Sequence, residues 1–246
     1  MKYSSRKKFT GSMPESFYSK DYFLNAKGSM YGRKIGDRYQ FYPYTEEYQL
    51  PGDREFAKSV KVNLNTTSVM VLGCARGYMV RAFREINVDA VGVDISKWVI
   101  ENCDPTVVDY VYNGDVCDLS LWDDKSFDLV LAIDVLEHIR VPDLYTAIDE
   151  CTRVGKLVFL GCPIAKNDDN PDQSDPNEEG SHVSIYSLKW WVNQFYARGF
   201  VPIEIKFFNK DNNINTLFAD VGSIGKYLVV RNNGRYELIK DSIHIG

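Results

Sequence analysis

A chain of 246 residues with 44% hydrophobic and 26% charged side chains suits one large domain with an elaborated end, and excludes collagenous, low-complexity and disordered classes. Its formal net charge of −5 gives no general attraction to nucleic acid or to an anionic membrane surface. No apolar run reaches membrane-spanning length and no secretory leader is evident, so the expected location is cytoplasmic, with Cys74, Cys103, Cys117, Cys151 and Cys162 reduced.

Residues 1–62 read as a cap packed on a main domain of residues 63–246. The first part is crowded with aromatic side chains (Phe17, Tyr18, Tyr22, Phe23, Tyr44 and Tyr48 among them), broken by Gly and Pro, without a helical or strand period. Such a segment either anchors itself on the domain or also caps the active site and lines its pocket. Within it, Arg33, Lys34 and Arg38 are placed to meet an anionic substrate, and Asp53, after Pro51-Gly52, suits the N-cap of a helix to about Val62.

From Val69 strands and helices alternate. Strands are expected at Val69–Leu72, Ala90–Asp94, Tyr110–Asn113, Phe127–Ile133 and Lys156–Leu160, with helices at Tyr78–Ile86, Lys97–Asn102 and Pro142–Thr152. The unbroken apolar run Phe127–Ile133 suits a central strand covered on both faces. An acidic loop follows over 163–182, including Asp168, Asp169, Asp172, Asp175, Glu178 and Glu179. Ser187 then caps a helix to about Ala197, stopped by Gly199. One of Trp190 and Trp191 is expected in the core and the other is free to line the pocket. Strands at Val201–Phe207 and Lys226–Val230 close a doubly wound, Rossmann-like α/β domain.

The chemistry concentrates in two places. Val69–Leu72 runs into Gly73-Cys74-Ala75-Arg76-Gly77, and the next strand ends in Asp94. Small residues in that turn let backbone amides approach a ligand, and the carboxylate can accept bonds from a ribose diol, so an adenosine cofactor is implied. A nicotinamide site would present G-x-G-x-x-G, whereas this turn is G-x-x-x-G.

Four segments, Val71–Gly77, Val91–Ser96, Asn113–Val116 and Phe127–Ile139, together resemble class I S-adenosylmethionine-dependent methyltransferases of the small-molecule type over about residues 66–231. The resemblance implies a seven-stranded sheet whose late antiparallel strand is Lys226–Val230. It also places Gly73, Ala75 and Gly77 beside the methionine part of the cofactor, Asp94 and Ile95 at the ribose, Asp115 and Val116 at the adenine, and Asp134 at the edge shared with the acceptor. Two departures stand out: Val71 replaces the usual acid, and Ala75 a usual glycine, tolerable where its φ is negative.

Asp134, Glu137 and His138 follow the fourth strand with spacing i, i+3, i+4. This D-x-x-E-H resembles the E-x-x-E-H element with which small-RNA 2′-O-methyltransferases and some quinone-pathway O-methyltransferases hold a divalent cation. His182 stands where the RNA enzymes supply a further histidine. Carboxylate and imidazole suit Mg²⁺, Mn²⁺, Fe²⁺ or Zn²⁺. Three readings stay open here: a metal site of Asp134, Glu137, His138 and His182; His138 with Asp134 as metal-free catalytic groups; or a turn fixed by hydrogen bonds. The implied activity is methyl transfer to a hydroxyl of a small polar acceptor, a sugar or nucleotide-linked sugar. The alternatives are N-methylation of an amino sugar or other amine, and a catalytically inactive cofactor-binding regulator. The acidic balance and the lack of a basic stripe argue against RNA as partner.

Overall fold

The computed structural model describes residues 13–24, 32–35, 38–41, 43–165, 181–203, 213–220, 229–232 and 235–238. Its N-terminal strap, Met13–Leu24, contains a single 3₁₀ turn at Glu15–Phe17 and the short helix α1 (Lys20–Leu24). A hairpin of β1 (Gly32–Ile35) and β2 (Arg38–Phe41) follows, then α2 (Glu46–Leu64).

The helix expected to start at Asp53 starts instead at Glu46, after Thr45, and carries Pro51 and Gly52 in its interior. Pro51 has no N–H to give Glu47, and the two breakers together cost about 3 and about 1 kcal/mol. Against this, Leu50, Val60 and Leu64 are at most 6% exposed, and burial contributes about 1.5–3 kcal/mol for each. Tertiary packing wins, and the helix runs on past residue 62 into the core of the domain.

The Rossmann-like half alternates as its pattern requires: β3 (Ser68–Leu72), α3 (Tyr78–Arg84), β4 (Asp89–Asp94), α4 (Lys97–Glu101), β5 (Val111–Asn113), β6 (Phe127–Ile133), α5 (Asp143–Val154) and β7 (Gly155–Pro163). After residue 180 come α6 (Leu188–Tyr196), β8 (Phe200–Ile203) and β9 (Asn213–Asp220). The sheet order is β5-β4-β3-β6-β7-β9-β8, and its first five strands are parallel. The strand antiparallel to both its neighbours is β9, not Lys226–Val230. Val229 and Val230 belong to a separate hairpin of β10 (Val229–Asn232) and β11 (Arg235–Leu238). Residues 166–180, which hold the six acids of the expected loop, lie outside the described residues, as do the side chains of Arg33, Lys34 and Arg38.

Alternate residues of the buried strands feed two apolar layers. Val69, Val71, Leu129, Leu131, Leu157 and Phe159 pack with α2 and α3. Met70, Leu72, Val130, Ala132, Val158 and Leu160 pack with α5 and α6. Burial on both faces is why these strands read as unbroken apolar runs. Strand order reverses between β3 and β6, which leaves a crevice beyond their carboxyl ends. Among the described residues no helix is long and apolar enough to cross a membrane.

Candidate active site

A cavity of about 880 Å³, mouth included, opens at that crevice. Its cofactor side is built by the β3–α3 turn, where Gly73, Ala75 and Gly77 have φ of +56°, +46° and +81°. A Cβ on Gly73 would stand 2.6 Å from Val135 Cγ2, so only glycine fits there. Ala75 adopts the left-handed conformation too, contrary to the negative φ under which alanine costs little. Gly73 and Ala75 line the cavity. Gly77 does not: it lies under the turn, where a Cβ would meet Val107 and Val111, and it opens α3. Its part is to shape the turn rather than to touch a ligand.

Asp94, at the end of β4, is 6% exposed and accepts N–H bonds from Ala75 and Ser96, each at 2.9 Å. Burial pushes its carboxyl up to about 6, with the two amides acting in the opposite direction. Ile95, Asp115 and Val116 line the same wall, and Asp115 Oδ1 accepts from the Cys117 N–H at 2.9 Å. Seven of the eight residues assigned to the cofactor thus meet in one cavity. Val71, in the position of the usual acid, is buried in the core.

The opposite wall follows β6. Asp134 has φ +53°, a strained conformation for a residue with a side chain. It faces the cavity but is enclosed by protein on its other sides, which raises its pKa, while His182 acts to lower it. A single 3₁₀ turn, Leu136–His138, then buries Glu137 and His138. Segment 181–187 closes over this turn: the Val183 and Ser184 amides donate to the Glu137 carbonyl at 2.8 and 3.0 Å, and Ser184 Oγ donates to the Ile139 carbonyl at 2.6 Å. His138 Nδ1 lies 3.1 Å from the Ser181 carbonyl. A carbonyl only accepts, so Nδ1 carries the proton and the neutral ring keeps its lone pair on Nε2.

Glu137, His138 and His182 bring ligand atoms within 4.8 Å of one another. Asp134 falls outside that trio, and only His138 and Asp134 of the four also line the cavity. Glu137 is 0% exposed, and neither carboxylate oxygen meets a donor in hydrogen-bonding geometry. Burial first, then Asp134, pushes its carboxyl up to about 8, against the opposing field of His182 and the Glu137 and Val135 amides.

The strap forms the roof. Met13, Tyr18, Tyr22 and Phe23, joined by Tyr44, line the cavity, and the Tyr18 ring meets His138 edge-on at 6.1 Å. Asp143 at the start of α5 and Cys117 also reach it. The aromatic crowding of the sequence signalled the roof. Nothing in the sequence signalled Met13 or the Ser181 carbonyl. Trp191 is in the core, while Trp190 stacks on Tyr186 at 3.9 Å and is not part of the lining.

The fold and this cavity define a Rossmann-like α/β protein with a cavity at the carboxyl edge of its sheet. Residues 70–157 match the family model described as a methyltransferase domain. A comparison with curated protein sequences gives no match. Among solved structures, the N-terminal domain of EvdMO1 with S-adenosylhomocysteine bound is 16% identical with a TM-score of 0.57, covering 77% of this chain and 90% of that one. The [4+2]-cyclase SpnF is 15% identical with a TM-score of 0.56, covering 79% and 76%. A SAM-dependent methyltransferase from Archaeoglobus fulgidus is 20% identical with a TM-score of 0.50, covering 63% and 69%. Residues 70–157 thus match a methyltransferase domain, and the fold around them is similar to that of solved S-adenosylmethionine-dependent methyltransferases.

Proposed function

We propose that this enzyme methylates a hydroxyl of a small polar acceptor, with His138 as the base. The observation that carries this reading is the 3.1 Å contact of His138 Nδ1 with the Ser181 carbonyl, in a residue that shares a cavity with Asp94 and Ala75. S-adenosylmethionine supplies an electrophilic methyl group on a sulfonium when bound. Gly73 and Ala75 allow close backbone approach to its methionine part, Asp94 and Ile95 hold the ribose, and Asp115 and Val116 the adenine. Asp134, at the joint between the two walls, offers negative charge to the sulfonium or a bond to the acceptor. With the cofactor bound, its sulfonium would supply the methyl group, and His138 Nε2 would take the proton that the acceptor hydroxyl gives up. The aromatic roof holds the reactants together and keeps water away, which favours in-line displacement.

With Asp94 and Asp115 given to the cofactor, Asp134 and Asp143 are left for the acceptor, and among the described residues the lining has no lysine or arginine. Such a wall accepts hydroxyls and repels phosphate, so a free sugar-like polyol fits better than a nucleotide-linked sugar. The same acids would tolerate an amino sugar, the acceptor for the N-methylation alternative.

A second reading of the turn is favoured by Glu137. A fully buried carboxylate that meets no described donor in hydrogen-bonding geometry, beside two imidazoles, fits a divalent cation (Mg²⁺, Mn²⁺, Fe²⁺ or Zn²⁺) held by Glu137, His138 and His182, with Asp134 at its edge. Such an ion lowers the pKa of a bound hydroxyl.

Calorimetry of S-adenosylhomocysteine, then turnover of a polyol panel with and without EDTA, tests these readings. Micromolar binding and EDTA-insensitive turnover that falls at least 100-fold in His138→Ala support the base. Turnover lost in EDTA, restored by one metal and abolished in His182→Ala moves the assignment to the cation. Binding without turnover of any hydroxyl or amine acceptor supports the cofactor-binding regulator. No binding rejects the proposal.

A further inference from the structure

We propose that Ser96 is a positioning residue that couples the cofactor to the Met13–Leu24 strap, so that the acceptor compartment is completed only once the cofactor is seated. This rests on the cofactor assignment above. Ser96 is 1% exposed, and three of its bonds join separate parts of the site. Its N–H donates to Asp94 Oδ1 at 2.9 Å, its Oγ accepts from the Val99 N–H at 3.2 Å, and its hydroxyl donates to the Tyr18 carbonyl at 2.5 Å. One residue therefore touches the carboxylate assigned to the ribose, the first turn of α4 and the middle of the strap.

The other tethers of the strap show where control lies. Lys97 reaches Glu15 from its Nζ at 3.7 Å, but both side chains are exposed, and such pairs contribute little. Phe23 stacks on Trp98 with ring centroids 5.7 Å apart. The Met13 N–H donates to the His138 carbonyl at 3.4 Å, a long bond. Three anchors thus fall on consecutive residues, Ser96, Lys97 and Trp98, directly after the cofactor strand. The Tyr44 N–H also donates to the Phe23 carbonyl at 2.8 Å and ties the far end of the strap, but of these tethers the Ser96 bond at 2.5 Å is the one that joins the middle of the strap to a residue bonded to Asp94.

What the strap brings is the acceptor wall. Met13, Tyr18 and Tyr22 line the cavity, and Tyr18 meets His138. Undocked, these rings leave the acceptor side open to water. Ribose hydroxyls donating to Asp94 hold its carboxylate ionised and in place, which fixes the Ser96 N–H it accepts and the hydroxyl that grips Tyr18. By linkage, cofactor tightens the strap and the docked strap slows cofactor loss by the same coupling. Cofactor then enters first and its demethylated product leaves last.

The test uses the full chain and S-adenosylhomocysteine as probe. Calorimetry first establishes binding, and chymotrypsin cleavage at Phe17, Tyr18 and Tyr22 is then timed by mass spectrometry with and without the probe. The expected result is at least fivefold slower cleavage when the probe is bound. Ser96→Ala, which keeps the N–H to Asp94, should still bind the probe but lose the protection, and Ser96→Thr should restore it. Equal cleavage of the wild-type protein with and without bound probe overturns the inference, whatever the variants do. Full protection in a folded Ser96→Ala overturns it too. If the wild-type protein binds no probe, the cofactor assignment fails first, at the calorimetry step, and takes this inference with it.

Discussion

At the scale of the residue, the cofactor turn sets conflicting demands on small side chains. Gly73→Ala drives a Cβ to 2.6 Å from Val135 in a left-handed backbone, and should cost about 2–4 kcal/mol. Thermal unfolding will show it as a lower Tm, with Val135→Ala restoring part of the loss. Asp94 gives a pH prediction. Its pKa of about 6 in the folded protein lies above the ordinary 3.8, so its contribution to stability is fully present below about pH 4 and is lost as pH rises through 6. A ribose diol donates to the ionised form, so the sign reverses for binding. Affinity for S-adenosylhomocysteine should fall below pH 6, approaching tenfold per unit, and Asp94→Asn should flatten that profile in calorimetry. The place of Asp94 at the cavity was legible because an acid ending the strand after a glycine turn falls at the carboxyl edge of the sheet. The left-handed φ of Ala75 and Asp134 was not, since neither residue type announces it. Gly77 was legible as a glycine that matters but not as one that shapes the turn from below.

At the scale of the element, legibility followed how local the cause was. Ser187 was read as the cap of α6, and its Oγ accepts from the Trp190 N–H at 3.2 Å. Ser187→Ala should lower stability by about 1 kcal/mol, measured in urea, because α6 seats the buried rings of Trp191 and Phe195. The strands that pair within the parallel half were read nearly to the residue, because burial on both faces leaves an unbroken apolar run. The misses were set at a distance. Pro51-Gly52 has the local chemistry of a break, yet the buried stripe of Leu50, Val60 and Leu64 carries α2 through it. Lys226–Val230 is denser in strand-forming residues than Asn213–Asp220, yet its described end, Val229 and Val230, pairs in a separate hairpin and β9 takes the place in the sheet. Strand propensity ranks residues, but the pairing partner decides the position.

At the scale of the molecule, the same crevice gathers segments 13–24, 73–77, 94–96, 115–117 and 134–143, which lie far apart in sequence. The order of motifs along the chain revealed the cofactor wall. The roof was only half legible, since aromatic composition shows that something is anchored and not what it covers. The Glu137 cluster was legible as a spacing, but its depth behind the cavity was not. That depth predicts a charge effect: Glu137→Gln, which removes the charge and keeps the shape, should stabilise the metal-free protein by about 1–3 kcal/mol above pH 8 and raise its Tm. Differential scanning calorimetry in EDTA will show no gain if an ordinary donor already satisfies the carboxylate.

The contact of Phe23 with Trp98 has an optical consequence. Of the four tryptophans, Trp122, Trp190 and Trp191 pack in the layer of α5 and α6, whereas Trp98 lies beneath the strap. Its emission colour therefore depends on whether Phe23 covers it or water does. Trp98 is a built-in fluorophore under the roof, and the strap closure proposed above would be visible to a spectrometer in real time without a label.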